Sequence, residues 1–205
     1  MEHEVEIFQS PQERRKKSMS TIVSMVVVVL LAFVTAILLK TFVIDTIPVG
    51  GDSMLPTLNG GVYVTDGEGK VVETVTKGDT LILNKVAKIN RGDIVVFDVD
   101  WQNDPLVKRV IAVAGDTVLI NNDGEVYVNG DKLDEDYIQG STYTTNGEAQ
   151  LFVTVPEGHV FCLGDNRENS HDSRSADIGA VALENVRGKC FLIISPQGKI
   201  RTPQG

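Results

Sequence analysis

The sequence has few of the side chains that bind metals or form disulfide frameworks: 205 residues include two cysteines and three histidines. These residues form no cluster with metal-ligand spacing, so we expect neither a metal ion nor another cofactor. Basic residues are also scarce, since the chain has 19 lysines and arginines but 28 aspartates and glutamates, which gives a net charge of −9. Contacts to phosphates require a basic surface, so this balance argues against a nucleic-acid partner.

Charge is absent altogether from residues 21–39. About 20 consecutive apolar residues are what a helix needs to cross a lipid bilayer. The basic run Arg14–Lys17 lies directly before this stretch, and the positive-inside rule therefore places the N-terminus in the cytoplasm. The sequence thus predicts a single-pass membrane protein with three parts: a cytoplasmic tail at 1–20, a transmembrane anchor at 21–44 and an extracytoplasmic domain at 45–205.

A cleaved signal peptide is the alternative interpretation of this apolar stretch. The apolar core of a signal peptide has about 7 to 15 residues and is followed by a cleavage site with small residues. Here the core is longer, and the apolar run continues past Lys40 through Phe42, Val43 and Ile44. The length favours an uncleaved anchor, with Lys40 extending to the far interface.

Helix signals are missing after the anchor. The chain consists of short β-branched runs separated by Gly, Asn and Asp at intervals of about 8 to 15 residues, which is typical of an antiparallel all-β domain. Asn122-Asp123-Gly124 and Asn129-Gly130 are hairpin signals, and a polar excursion or small subdomain is expected at about 121–159. The predicted strands are 62–64, 80–83, 94–99, 106–113, 117–120, 125–128, 151–155, 160–163 and 190–194.

Ser53 lies in a stretch whose composition suits a presented nucleophile, Gly51-Asp52-Ser53-Met54-Leu55-Pro56. Gly and Asp tolerate the tight backbone of a turn, and Pro56 fixes φ shortly after the serine. An ordinary surface turn has the same composition. A serine hydroxyl is a poor nucleophile unless a base lies within hydrogen-bond reach, so the rest of the chain must supply one.

The histidines are weak candidates for that base. His3 lies in the predicted cytoplasmic tail, and His159 follows Pro156-Glu157-Gly158 in a predicted turn. His171 lies in the polar stretch Gly164–Arg174 and is the histidine that competes with a lysine base.

Lys108 has an environment that suits a general base. In a strand over 106–113, alternation places Lys108 on one face with Leu106, Val110 and Ala112, and Arg109 on the other. Apolar neighbours disfavour the ammonium and lower the pKa of a lysine toward neutrality. The alternative is a lysine that extends from a sheet edge into water, and alternation by itself does not exclude it.

Three stretches, around Ser53, around Lys108-Arg109 and over Gly164–Arg174, resemble the bacterial type I signal peptidases, and Gly92–Phe97 is a fourth match. In that family a membrane-anchored Ser/Lys dyad removes signal peptides from exported preproteins. The resemblance implies that Ser53 is the nucleophile and Lys108 the general base. Further roles that it implies are orientation of the lysine by Ser170, an ion pair between Asp172 and Arg174, and loop scaffolding by Asp165 and Arg167.

The resemblance also bears on the oxyanion hole and on the substrate. Gly51 stands where Gram-negative enzymes usually carry a serine whose hydroxyl helps to bind the oxyanion, so the hole would depend mainly on backbone N–H groups, chiefly that of Ser53. The short chain resembles the Gram-positive form. An Ala-X-Ala substrate segment would bind as an extended strand in shallow pockets that map to Ile47, Val49, Gly50, Gly51, Met54, Leu58, Leu106 and Val107. For each aliphatic residue among these, burial in the core is the alternative.

Two alternatives to a signal peptidase remain from the sequence. One is another Ser/Lys protease such as the self-cleaving repressors, which carry a DNA-binding domain and no membrane anchor. The other is a membrane-tethered β-domain without activity, which predicts loss of Ser53, Lys108 or Ser170, and all three are present. Cys162 and Cys190 lie on different predicted strands outside the cytoplasm, where a disulfide and two buried thiols are both possible.

Overall fold

The computed structural model describes residues 11–65, 71–143 and 150–203. His3 and the first ten residues of the predicted tail lie outside the described residues, as do 144–149 within the predicted excursion. The chain divides into two compact units, one up to Val43 and one from Ile44 onward. The first contains a long helix and the second contains all of the described strands.

The helix α1 spans Pro11–Phe42. It begins within the predicted tail, and it ends before Ile44, which already belongs to the first strand. Within it, the 22 residues Thr21–Phe42 are long and apolar enough to cross a membrane. Valine-rich sequence is a poor helix former in water, but a bilayer requires every backbone hydrogen bond to be made within the segment.

The largest sheet contains eight strands, and all of its pairs are antiparallel. Its order is β1-β4-β13-β5-β6-β11-β12, and β14 pairs with β13. A short 3-10 helix, Leu183–Asn185, precedes β13. The bounds are β1 Ile44–Pro48, β4 Thr80–Asn84, β5 Ile94–Val99, β6 Gln102–Val113, β11 His159–Leu163, β12 Val181–Ala182, β13 Val186–Ile194 and β14 Ile200–Arg201.

Two smaller sheets complete the described β-structure. One has the order β10-β7-β8-β9, and the other is the pair β2-β3. Asn129 and Gly130 both have positive φ, 56° and 90°, as the two-residue turn between β8 and β9 requires. The bounds are β2 Val62–Thr65, β3 Val71–Thr76, β7 Thr117–Ile120, β8 Val126–Val128, β9 Asp131–Lys132 and β10 Leu151–Thr154.

Strand β6 is the central element for the site. It pairs with β5 on one side and β11 on the other, and residues 107–112 are all buried. Opposite Cys162 and Phe161, the register with β11 advances from Val110 directly to Ala112, so Ile111 is a bulge. The bulge moves Ala112 into a core cluster with Phe161, away from the cluster of Val110. The predicted placement of Ala112 on the Lys108 face is therefore wrong. Leu106 and Val110 each lie two positions from Lys108 along the strand, before the bulge.

The antiparallel β fold behind one apolar helix is confirmed, and each of the nine predicted runs overlaps a strand. The sequence missed β1, whose residues continue the apolar run of the anchor, and β3, which begins directly after residues outside the described part. It also missed three strands of two residues each, β9, β12 and β14. Strands this short form because neighbouring strands pair with them, and their own composition does not favour a strand.

Both cysteines are buried free thiols. Cys162 packs in the cluster with Val110, and Cys190 packs in a different cluster with Val107. Burial raises the pKa of both thiols, that of Cys190 to about 12, so neither is a reactive thiolate at neutral pH. Of the two alternatives from the sequence, the structure shows the buried thiols.

This arrangement predicts that reduction does not change stability. We expect the same melting temperature with and without a reducing agent, because no covalent crosslink is lost. A thiol reagent should label no cysteine in the folded protein and both cysteines in denaturant without reductant. Labelling in denaturant that appears only after reduction would demonstrate a disulfide and contradict the structure.

Candidate active site

The structure brings Ser53 and Lys108 together. Ser53 lies in the turn between β1 and β2, and Lys108 lies in β6. Lys108 Nζ is 2.8 Å from Ser53 Oγ and donates a second hydrogen bond of 2.9 Å to the Val107 carbonyl oxygen. The amine therefore lies within the distance at which a base accepts the proton of a serine hydroxyl.

Burial controls the protonation of this lysine. The side chain is only 2% exposed, and Lys108 lies opposite Val95 in the sheet, between Leu106 and Val110 along its own strand. Burial lowers the pKa of Lys108 to about 8, and the negative charge of Asp172 opposes part of this shift. A minor fraction of the molecules therefore carries the neutral amine at pH 7, and this fraction rises to about one half at pH 8, which suits a general base.

The turn that carries Ser53 is fixed from both sides. Asn166 donates from its backbone N–H to the Ser53 carbonyl oxygen and from its side-chain amide to the Asp52 carbonyl oxygen, both at 3.0 Å. On the other side, Met54 and Leu58 are buried in the core and joined by a backbone hydrogen bond of 2.9 Å. The third predicted stretch thus contacts the first.

Gly164 allows this close approach. A methyl group added to Gly164 would overlap the Ser53 carbonyl oxygen and the Ser170 side chain. The hydroxyl of Ser170 is buried and makes no hydrogen bond of good geometry within the described residues, but it is close enough to Asp172 to help lower the pKa of that carboxyl group. The structure places Ser170 beside the turn of the nucleophile, but it does not show the hydrogen bond to Lys108 that the resemblance implies.

Asp172 and Arg174 form a buried ion pair at 2.8 Å, with side chains 0% and 2% exposed. Burial raises the pKa of Asp172, but the hydrogen bonds and charge of Arg174 outweigh burial and hold that pKa below its usual range. Asp172 also accepts a hydrogen bond of 3.0 Å from the backbone N–H of Gly164. The pair thus fixes the loop at the glycine that contacts both serines.

Two further buried ion pairs hold this loop, and the sequence identified only one member of each. Arg109 makes a two-pronged contact with Asp165 at 2.9 and 2.7 Å, and its guanidinium lies 4.0 Å from the centre of the Tyr137 ring. Arg167 pairs with Glu135. Strand alternation turns Arg109 away from Lys108 and toward the loop, so the sequence pattern could have indicated its ion pair with the loop. Glu135 lies in the polar excursion, where no pattern indicates its partner.

The two histidines in the described part of the chain are engaged elsewhere. His171 is about half exposed, contacts Asp177 at 2.8 Å and packs against Trp101 with ring centres 5.1 Å apart. The Nδ1 of His159 is 2.8 Å from the Glu157 carbonyl oxygen and must donate to it. Neither ring has a hydrogen bond to Ser53 in the described part of the chain, so Lys108 is the base that the geometry supports.

A groove of about 490 Å³ is lined by residues that include Gly50 and Gly51, just before Ser53 in the sequence, although Ser53 and Lys108 themselves do not line it. Four of the eight predicted pocket residues line it, namely Ile47, Gly50, Gly51 and Leu106. The other four are Val49, Met54, Leu58 and Val107, and they are buried in one core cluster, as the alternative interpretation expected. A larger cavity of about 640 Å³ near Val113 contains none of the predicted site residues.

The buried ion pair predicts a large asymmetry between two arginines. Arg174→Ala leaves the Asp172 carboxylate buried without its cation, which should lower the free energy of unfolding by about 3 to 5 kcal/mol. Arg187 forms an exposed pair with Asp98, so Arg187→Ala is the matched control and should cost about 1 kcal/mol or less. Urea unfolding of both variants measures the difference, and equal losses would contradict the assigned role of burial.

Sequence comparison relates this chain to known proteins. The family described as "Signal peptidase, peptidase S26" matches residues 21–195. Signal peptidase I of Bacillus licheniformis is 32% identical over 93% of this chain and 97% of its own length, and signal peptidase I S of Bacillus subtilis is 31% identical over 84% and 89%. A crystal structure of a signal peptidase I from Enterococcus faecalis is similar with a TM-score of 0.42 and 33% identity, over 51% of this chain and 97% of that chain. The chain belongs to the signal peptidase family, peptidase S26, whose members are serine peptidases.

Proposed function

We propose that Ser53 and Lys108 are the catalytic dyad with which this signal peptidase removes signal peptides from preproteins. The observation that carries the proposal is the 2.8 Å contact between Lys108 Nζ and Ser53 Oγ, made by an amine whose pKa is lowered by burial to about 8. Such a contact between a buried base and a turn serine is the arrangement that activates a hydroxyl.

The reaction follows from this geometry. Neutral Lys108 accepts the proton of the Ser53 hydroxyl while Oγ attacks the carbonyl carbon of the scissile peptide bond. The resulting ammonium returns that proton to the leaving amine as the C–N bond breaks, which leaves an acyl ester on Ser53. Water then attacks the ester with Lys108 again as base, which releases the signal peptide and restores the free hydroxyl.

Backbone groups stabilise the oxyanion in this proposal. The Ser53 backbone N–H donates no hydrogen bond within the described part of the chain, so this donor is available to the developing negative charge. Gly51 has φ of 69° and is exposed, and it contributes no side-chain donor. One backbone donor in such a site is worth about 3 kcal/mol of transition-state stabilisation.

The groove supports an extended substrate with small side chains. The edge strand β1 and the beginning of β6 line its two sides through Ile47 and Leu106. A peptide added beside β1 would place backbone groups against the sheet edge and small side chains in the shallow apolar walls. Ser170 keeps a supporting role in this proposal, because its buried hydroxyl lies beside Gly164, next to the turn of Ser53.

The helix α1 is the membrane anchor in this proposal, with the N-terminus in the cytoplasm and the β-domain outside. Residues 21–39 of this helix carry no charge, and its large apolar side chains are exposed, which is typical of a membrane-spanning helix. Arg14–Lys17 precede this stretch and support the orientation through the positive-inside rule.

The dyad predicts a pH dependence that a histidine base would not give. Because only neutral Lys108 accepts the proton, kcat/KM should rise about tenfold per pH unit up to about pH 8 and then level off. Cleavage of a precursor with an Ala-X-Ala site by the full-length protein in detergent measures this limb. A limb near the ordinary histidine pKa of about 6.5 would contradict the assignment.

Two variants complete that test. Lys108→Met keeps the bulk of the side chain and removes the amine, so cleavage should fall by about 10²- to 10⁴-fold while the fold survives. His171→Ala is the control, since it removes a half-exposed ring that does not contact Ser53, and it should keep most of the activity. An active Lys108→Met protein would refute the lysine base.

The proposed topology has its own test. Protease added to intact protoplasts should digest the β-domain, because the positive-inside rule places residues from 45 onward outside. A cytoplasmic protein in the same protoplasts is the control for intact membranes. Full protection of the β-domain until the membrane is opened would refute this orientation.

A further inference from the structure

We infer that Arg201 is a positioning residue for the nucleophile, acting from the end of the sheet through Asp79 and Thr57. The family match ends at residue 195, and Arg201 lies beyond it in β14, paired with Ile193 of β13. The inference depends on the proposed function, because positioning has a meaning only if Ser53 is the nucleophile.

One nitrogen of Arg201 donates hydrogen bonds to two different residues. Its Nη2 donates to the Thr57 carbonyl oxygen at 2.6 Å and to Asp79 Oδ2 at 2.8 Å. Thr57 lies four positions after Ser53, in the same turn segment. Arg201 therefore connects this segment directly to β14.

Asp79 is the second support of the segment. Its Oδ2 accepts a hydrogen bond of 3.0 Å from the Asn59 backbone N–H, its backbone N–H donates to the Asn59 carbonyl oxygen at 2.8 Å, and its own carbonyl oxygen accepts one of 2.8 Å from Val49. Val49 and Asn59 lie on either side of Ser53 in the sequence. One residue thus fixes both ends of the segment that presents the nucleophile.

Charge makes Asp79 depend on Arg201. The Asp79 side chain is 0% exposed, and its other oxygen, Oδ1, is buried without a hydrogen-bond partner among the described residues. Arg201 is the cation within salt-bridge distance of this carboxylate in that part of the chain. Without it, a buried carboxylate would lack its counter-charge, and relief requires movement of Asp79 or of the backbone that it holds.

Movement of that backbone displaces Ser53 Oγ relative to Lys108 Nζ. Proton transfer between these atoms is sensitive to displacements below 1 Å, since a misplacement of about 1 Å can cost about a hundredfold in rate. Arg201 does not line the groove proposed to bind the substrate. Its loss should therefore lower kcat and leave KM nearly unchanged.

The test uses Arg201→Ala in the full-length protein in detergent, with Lys199→Ala as the matched control, because Lys199 is an exposed cation just before the same strand. We expect Arg201→Ala to lower kcat about tenfold or more with KM within about twofold, and Lys199→Ala to match the unchanged protein. Arg201 is 39% exposed, so millimolar guanidinium ion should enter the vacated site and restore part of the lost kcat.

Further variants separate positioning from stability. Asp79→Asn should lower kcat in the same way, and the double variant Asp79→Asn/Arg201→Ala should be no slower than the worse single variant and should not respond to guanidinium. If Arg201→Ala does not fold, Arg201→Lys retains the charge and should give a smaller loss of kcat. Rates are corrected for the folded fraction measured by circular dichroism at the assay temperature.

The inference is overturned if Arg201→Ala folds and has an unchanged kcat. If Arg201→Ala does not fold, the inference is overturned when both Arg201→Lys and Asp79→Asn have an unchanged kcat. A loss that Lys199→Ala shares or that the folded fraction explains also overturns it. Ser53→Ala distinguishes the two levels of the account. A Ser53→Ala protein that still cleaves refutes the proposed function itself, whereas an inactive Ser53→Ala with a fully active Arg201→Ala refutes only the role of Arg201.

Discussion

The hydrogen bond between a buried amine and a turn serine imposes two requirements on the rest of the structure. Lys108 must lose most of its hydration, or it stays protonated and cannot accept a proton. It must also be held within hydrogen-bond distance of Ser53, which lies far from it in sequence. Strand β6 satisfies the first requirement, because it is covered on both faces and paired on both edges. The contacts of the turn around Ser53 satisfy the second.

The ion pairs around the loop Gly164–Arg174 serve the same amine electrostatically. An uncompensated carboxylate near Lys108 would stabilise the ammonium and raise its pKa, and Asp172 does act in that direction. Arg174 pairs with Asp172 and acts in the opposite direction on the same lysine. Arg109 likewise compensates Asp165. Because a guanidinium group pairs with each of these two carboxylates, burial remains the dominant influence on the pKa of Lys108. The loop can therefore contain many charges without raising that pKa to its ordinary value.

The sequence was sufficient for the fold class, because that depends on local patterns, whereas the proposed dyad was identified through the resemblance to the signal peptidases. Apolar length identified the helix, alternation and turn residues identified most strands, and the Ser and Lys motifs stand in recognisable contexts. It was insufficient wherever the outcome depends on pairing across the chain. The bulge at Ile111 reverses the face of Ala112, and the partner of Arg167 is Glu135 in the polar excursion. Four of the eight expected pocket residues are buried in the core and do not line the groove. Composition does not encode such registers.

The central claim is that burial lowers the pKa of Lys108 to about 8, and direct titration of its amine tests this claim most directly. Full-length protein in detergent, labelled with ¹³C at the ε-carbon of lysine, gives one NMR resonance per lysine, and Lys108→Met identifies the one that belongs to Lys108. The account predicts that this resonance titrates with a midpoint near pH 8, whereas exposed lysines titrate near the ordinary value of about 10.4. A midpoint for Lys108 at that ordinary value would contradict the account, because the amine would then remain protonated beside the serine.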